Sequence, residues 1–293
     1  MAGLDRFFTR EVIAAECWRA LLPVLAKLTG GADDLFFVEP AAGGGAFYDI
    51  LPPSRRLAMD IAPLRQAFVR GDFLRADSLP PDVWRHPQHL TVVIGNPPFG
   101  LRGKTALAFF HRAARMADTI AFIVPVIFRK HFIHKQMPDK WRWVFSAPLP
   151  RDAFQTPDGK KFAVNTEFQV WTHLAGDDAM RLNDMRLFSP PPICHDDFAM
   201  WQYNNTPGAL KVFGEKFDFA VPSQGWQDYT RRETNPQKCE KHKQWMLFAP
   251  ANKRSRRRLY SEIDYAKLAA RNTTSTPGFR KGDIVGEYSR KFG

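Results

Sequence analysis

The feature that most constrains this chain is a series of short apolar runs, each ending in a polar cluster. Residues 35–38 (LFFV) run into Glu39-Pro40 and then AAGGGAF. Residues 55–60 (RRLAMD) end in Asp60, and residues 68–69 stop just before Asp72. Residues 90–95 (LTVVIG) lead directly into Asn96-Pro97-Pro98-Phe99. Runs of this length suit strands buried on both faces. Between and around them lie helix-sized segments. Residues 11–28 place Val12, Ala15, Trp18, Leu22 and Leu25 on one face, with Gly30-Gly31 as a stop. Pro23 is expected to kink or divide that helix. Residues 104–117 form a second helical segment, with Ala106, Phe109, Phe110 and Ala113 apolar. Further strands are expected at 119–124, 143–145 and 167–172. The alternation predicts an α/β fold with a mainly parallel sheet. The polar clusters follow strand C-termini, which is where open α/β sheets bind ligands.

Composition narrows the partner. The 293 residues carry a formal charge of +12, an excess that suits a polyanion such as nucleic acid. Three widely spaced cysteines, Cys17, Cys194 and Cys239, imply no disulfide framework and fit a reducing compartment. The N-terminal MAGLDRFFTREV is too charged for a signal peptide. The apolar runs fall short of the ~20 residues of a membrane span. The expected location is the cytoplasm.

After about residue 175 the pattern changes. SPPPICHDD (189–197) is proline-rich. Beyond it no alternation stands out. Trp201, Tyr203, Trp226, Tyr229, Trp245 and Tyr260 are interleaved with basic residues, and 253–258 reads KRSRRR. Two domains are expected, 1–175 and 176–293.

In AAGGGAF the glycines allow a sharp turn and close backbone approach to a ligand. The spacing is not the dinucleotide fingerprint, and no Lys-Ser/Thr pair follows to make a phosphate loop. Asp60 ends the next strand, where a carboxylate can accept from both ribose hydroxyls. Asp72 can accept from an exocyclic amine, and Phe73 can pack on an adenine ring. The set suits a nucleoside rather than a triphosphate.

The order F-F-T (7–9), E-P-A-A-G-G-G (39–45), M-D (59–60), G-D-F-L (71–74) and N-P-P-F (96–99) resembles S-adenosylmethionine-dependent DNA adenine-N6 methyltransferases of the gamma-like motif order. The resemblance covers residues 7–172. It implies a Rossmann-like seven-stranded methyltransferase sheet with a smaller C-terminal target-recognition region. It also implies that Phe8, Thr9, Glu39, Pro40, Ala41 and Gly43 line the methionine part of S-adenosylmethionine. Asp60 with Ile61 would hold the ribose, and Asp72 with Phe73 the cofactor adenine. One departure is the run of three glycines, where the family shows G-x-G.

The asparagine turn answers a chemical problem. The lone pair of an exocyclic amine is conjugated into its ring, so the nitrogen is a poor nucleophile. Two acceptors holding its protons turn that lone pair toward an incoming methyl group. Asn96 Oδ1 and the Pro97 carbonyl can be those acceptors, Pro98 stiffens the turn, and Phe99 offers a stacking face. Asn96 would also adjoin the cofactor. A base in a duplex reaches such a pocket only by flipping out. Phe162 is the candidate for a second stacking aromatic.

Lys253, Arg254, Arg256, Arg257 and Arg258 are the candidate phosphate contacts. Arg231, Arg232, Lys238, Lys241, Lys243, Arg271, Arg280 and Lys281 add to that basic region. Base reading would fall to groups such as Gln202, Asn204, Asn205, Gln224, Gln227, Asn235 or Gln237. The expected partner is double-stranded DNA, with monomer and homodimer both open. Cys194-His195 and Cys239-x2-His242 match no zinc-finger spacing, and no metal is expected. No segment resembles a nuclease, so a stand-alone modification enzyme is expected. Protein glutamine-N5 and RNA adenine-N6 methylation are the alternatives, because a glutamine amide NH2 and an adenine amine pose the same problem, a conjugated nitrogen.

Overall fold

A computed structural model describes residues 7–75, 86, 88–156, 159–174 and 182–293. The chain divides into two compact units, Met1–Phe188 and Ser189–Gly293. This boundary lies later than the one read from the sequence, because residues 182–187 are tied to the first unit. Met185 N donates to the Trp143 carbonyl (2.8 Å), and Leu187 N donates to His134 Nδ1 (2.8 Å).

The first unit opens with strand β1 (Phe8–Thr9) and helix α1 (Glu11–Thr29). Strands β2 (Leu35–Glu39), β3 (Arg56–Asp60), β4 (Val69–Arg70) and β5 (Leu90–Gly95) follow. Then come α2 (Lys104–Ala113), β6 (Thr119–Pro125), α3 (His131–His134), β7 (Arg142–Pro148), β8 (Phe154–Gln155), β9 (Lys161–Phe162) and β10 (Thr166–Thr172). The main sheet has seven strands in the order β4-β3-β2-β5-β6-β10-β7. β10 runs antiparallel to β6 and to β7, while the β3–β2–β5–β6 pairs are parallel. This is the Rossmann-like, mainly parallel seven-stranded sheet expected from the sequence. A separate three-stranded sheet joins β1, β8 and β9.

Two apolar cores sandwich the main sheet. One joins Ile13, Cys17, Leu21 and Leu25 of α1 to Phe37, Ile94 and Ile123. The other joins Ala106, Phe109 and Phe110 of α2 to Val38, Val93, Phe122 and Trp171. Alternate residues of β2, β5 and β6 enter opposite cores, as the pleat requires.

Pro23 neither divides α1 nor ends it. It sits on the exposed face, so the hydrogen bond it cannot donate is lost where water can replace it. The second helix ends at Ala113, short of the expected 117, in a tighter turn where Arg115 N donates to the Arg112 carbonyl.

The second unit is built on an antiparallel sheet of β11 (Phe198–Tyr203), β12 (Phe219–Gln224) and β13 (Gln244–Pro250), in the order β11-β13-β12. Helices α4 (Lys253–Arg257), α5 (Tyr265–Arg271) and α6 (Lys281–Phe292) follow. Phe219, Met246 and Phe248 meet Leu259, Leu268 and Ile284 on one face, while Tyr203, Trp245 and Leu247 meet Val212 and Phe213 on the other. No described helix is long and apolar enough to cross a membrane.

Candidate active site

β2 has β3 on one side and β5 on the other, so the strand order reverses beside it. A crevice opens at the C-terminal ends of strands at such a reversal. Here it is a cleft lined by Phe8, Thr9, Glu39, Ala41, Gly43 and Asn96, all singled out in the sequence. Glu39 ends β2, and Asn96 follows the last residue of β5. Gly95, just before Asn96, packs against Glu39: a Cβ there would lie 3.4 Å from Glu39 Cγ. Phe7, Ala42, Gly44, Ala46 and Phe47 complete the lining. Their signal was their place inside the FFT and AAGGGAF segments; nothing in their side-chain chemistry marked them.

Phe8 and Thr9 reach the cleft because β1 pairs with β8, Phe8 opposite Gln155 and Thr9 opposite Phe154. The Phe8 ring lies on Gly43. That glycine has φ +51°, and a Cβ on it would come within 3.0 Å of Phe8 Cδ1. Of the three glycines, Gly43 is thus the one against which Phe8 closes. Two ties hold the turn. Gly43 N donates to Asp60 Oδ2 (2.8 Å), and Arg65 Nη2 donates to the Gly44 carbonyl (2.6 Å) while pairing with Asp49.

The remaining sequence candidates sit around the cleft. Asp60 Oδ1 accepts from Ala62 N (2.8 Å), so both its oxygens brace the loops beside the cleft. Ile61 is 50% exposed, and Pro40 is buried behind Gly95. Asp72 Oδ1 accepts from Leu74 N (3.0 Å). Phe73 is 2% exposed and packs on Phe109, with ring centroids 5.2 Å apart, so its ring belongs to the core. Pro97 is buried and Pro98 exposed. Phe99 is half-buried and meets Phe154 edge-on at 6.1 Å. β9 sets the backbone of Phe162 opposite Phe154; the Phe162 side chain lies outside the described residues.

The electrostatics of the cleft are unbalanced. Glu39 is 2% exposed, and its Oε2 has no hydrogen-bond partner; Asn96 Oδ1 is likewise buried and unpartnered. A buried acceptor without a donor costs roughly 1–3 kcal/mol. Burial drives the Glu39 pKa well above the usual carboxyl range. The Tyr48 backbone N–H opposes that shift, and the neighbouring Asp49 and Asp60 charges add to it. Two buried oxygens without a protein partner in one cleft, one on a carboxyl that a bound cation would ionise, fit a ligand that carries N–H donors and positive charge. S-adenosylmethionine has both, in its ammonium and its sulfonium, so the residues present fit it.

A pH dependence follows. Between the ordinary carboxyl value and its own raised value, folded Glu39 keeps a proton that the unfolded chain has released. Stability therefore falls as pH rises through that window. Glu39→Gln is expected to raise the melting temperature at pH 8, with the difference vanishing below about pH 4, near the ordinary glutamate value. The same substitution is expected to weaken S-adenosylmethionine binding. Thermal melts across pH with a cofactor titration check both; a destabilised variant at pH 8 would refute the buried-carboxyl account.

In the second unit the basic cluster is partly spent internally. Arg256 pairs with Asp218 (2.5 Å) and Arg257 with Glu262 (2.9 Å). Arg258 has a side chain 14% exposed, lies 3.6 Å from Asp197, and stacks over Phe292. It belongs to the packing of the unit, which corrects its reading as a surface phosphate contact. Lys253 and Arg254 are exposed on α4 with no acidic partner among the described residues. The interleaving of aromatic and basic residues has a similar origin. Arg231 stacks on Trp245, Arg232 on Tyr265 and Lys241 on Phe213. Cys194, Cys239 and their neighbouring histidines form no metal-holding group among the described residues.

No protein-family model matches the chain, and no curated protein matches it. Solved structures do show similarity. A candidate RNA methyltransferase of Pyrococcus horikoshii is 17% identical, with 58% of this chain and 88% of that chain covered at a TM-score of 0.42. A Thermoplasma acidophilum protein is 16% identical over 59% of this chain and 92% of that one, at 0.40. The type IIG restriction endonuclease BpuSI is 13% identical over 89% of this chain and 33% of its own, at 0.39.

Proposed function

We propose that this chain transfers a methyl group from S-adenosylmethionine to N6 of a flipped-out adenine in duplex DNA. The observation that carries the reading is the pair of unpartnered acceptors, Glu39 Oε2 and Asn96 Oδ1, in one cleft at the strand-order reversal. Glu39, Phe8, Thr9, Ala41 and Gly43 would hold the cofactor, with Asp60 bracing Gly43. When bound, S-adenosylmethionine supplies an electrophilic methyl group on a sulfonium. Asn96 and the Pro97 carbonyl accept from the target amine and orient its lone pair. Phe99 is held by two backbone donors, Thr105 N (3.1 Å) and Ala106 N (3.2 Å), on its carbonyl. That grip fixes where the turn presents its acceptors, and fixed acceptors cost no reorganisation when the amine becomes positive. The second unit would supply duplex contacts, with Lys253 and Arg254 its unpaired cations on α4.

The test is transfer of tritium from methyl-labelled cofactor to duplex DNA, structured RNA and a release factor, followed by nucleoside analysis. Label in N6-methyl-2′-deoxyadenosine from the DNA is expected. Label confined to RNA or to glutamine would replace this reading by one of its alternatives.

A further inference from the structure

Several cations at the C-terminal edge of the main sheet are neutralised. Arg129 pairs with buried Glu167, and Arg10 and Lys161 share Asp152. Three exposed cations on the segments flanking the asparagine turn stand apart. Arg102, Lys104 and Arg151 have no acidic partner among the described residues. Arg102 and Lys104 follow the turn directly, on the segment whose backbone N–H groups hold the Phe99 carbonyl. Arg151 lies just beyond the end of β7, three residues before Phe154, whose ring meets Phe99. Both segments therefore meet Phe99, one at its carbonyl and the other at its ring.

The segment carrying the first two cations is also conformationally costly. Arg102 has φ +54°, a left-handed value that a side chain adopts at a cost of order 1 kcal/mol. Gly100 and Gly103 flank it at φ +67° and +76°. Gly103 seats the loop on the body of the unit: a Cβ there would lie 3.1 Å from Ile127 and 3.2 Å from Phe128. The result lifts Leu101 to 79% exposure, with an unpaired guanidinium beside it. Three unneutralised cations around a catalytic turn, with one apolar side chain at the tip, fit a phosphodiester backbone running past a base drawn into the cleft.

We infer that Arg102, Lys104 and Arg151 form a nucleic-acid backbone contact of the catalytic unit, gripping the strand on either side of the target base. This rests on the methyltransferase reading and adds a surface to it. The probe is a duplex DNA oligonucleotide, with binding measured against salt. Each phosphate contact contributes about 0.9 to the slope of log affinity against log salt. The triple variant R102G/K104Q/R151Q is expected to lower that slope by about 2.7. Glycine is chosen at Arg102 because it accepts the left-handed backbone. Cofactor binding and melting temperature should stay near those of the parent. A control, K27Q/R115Q/K140Q, removes the same charge from segments leading into the N-terminal ends of β2, β6 and β7 and should leave the slope unchanged. An unchanged slope in the first variant, or an equal loss in the control, would overturn the inference while DNA methylation by the parent still stood. Loss of the slope on structured RNA, with no binding to duplex DNA by the parent, would keep the surface and overturn the DNA reading. A parent that binds neither would end both.

Discussion

Asn96→Ala is expected to lower methyl transfer by about two to three orders of magnitude, the usual cost of removing one preorganised polar partner of a transition state. The reason lies in what Asn96 does not do in the folded chain. Its Oδ1 is buried and accepts from no protein donor, so it contributes no net hydrogen bond to folding. Removing an unsatisfied buried acceptor relieves a desolvation cost. The melting temperature of the variant should therefore be equal to or above that of the parent, even as turnover disappears. A structural asparagine would give the reverse: lost stability and retained turnover. Cofactor affinity should drop far less than kcat, since Glu39, Phe8 and Gly43 remain. Single-turnover transfer from labelled cofactor, alongside a thermal melt, separates the two cases. A variant with parental turnover would remove Asn96 from the mechanism.

The main sheet was legible because most of its strands are buried on both faces and carry apolar runs. Residues 90–95 match β5 at both ends, and 35–38, 119–124 and 167–172 each fall one residue short of β2, β6 and β10. β1, β8 and β9 gave no signal. Each is two residues long: β8 and β9 form a short hairpin, and β1 exists only by pairing with the distant β8. In the second unit β13 is central and apolar on both faces, which hides alternation. Its neighbour β12 carries Pro222, which reads as a break and is tolerated because β12 is an edge strand. At the site, the motif residues were visible but their partners were not. Phe73 looked like a ligand contact beside Asp72, but it lies in a turn beyond β4 and its ring packs into the core against Phe109. The arginines of 253–258 looked free, and their acids, Asp218, Glu262 and Asp197, come from three other parts of the second unit. A charge run shows its sign in the sequence; which of its members are neutralised is a property of tertiary structure.

Gly100→Ala is expected to cost at least about a hundredfold in kcat, the scale of a displacement near 1 Å at a reacting centre. Two causes add. Gly100 has φ +67° and ψ 177°, a region essentially closed to residues with a Cβ, at roughly 1–3 kcal/mol. A methyl group there would also sit 2.0 Å from Thr105 Oγ1, 2.8 Å from Thr105 Cβ and 3.0 Å from Thr105 N. Rotating the threonine hydroxyl cannot relieve the last two contacts, so α2 or the turn must move. Thr105 N and Ala106 N are the donors that hold the Phe99 carbonyl, so either movement loosens the turn that carries Asn96. Gly30→Ala is the control. That glycine has φ +79° with nothing within 4 Å of its Cβ position, at the end of α1. It should lose about 1–2 kcal/mol of stability through backbone strain alone and keep its kcat. Turnover and melting temperature measured on both variants separate strain at a helix end from displacement of the asparagine turn. Parental kcat in Gly100→Ala would mean that the position of the turn is set elsewhere.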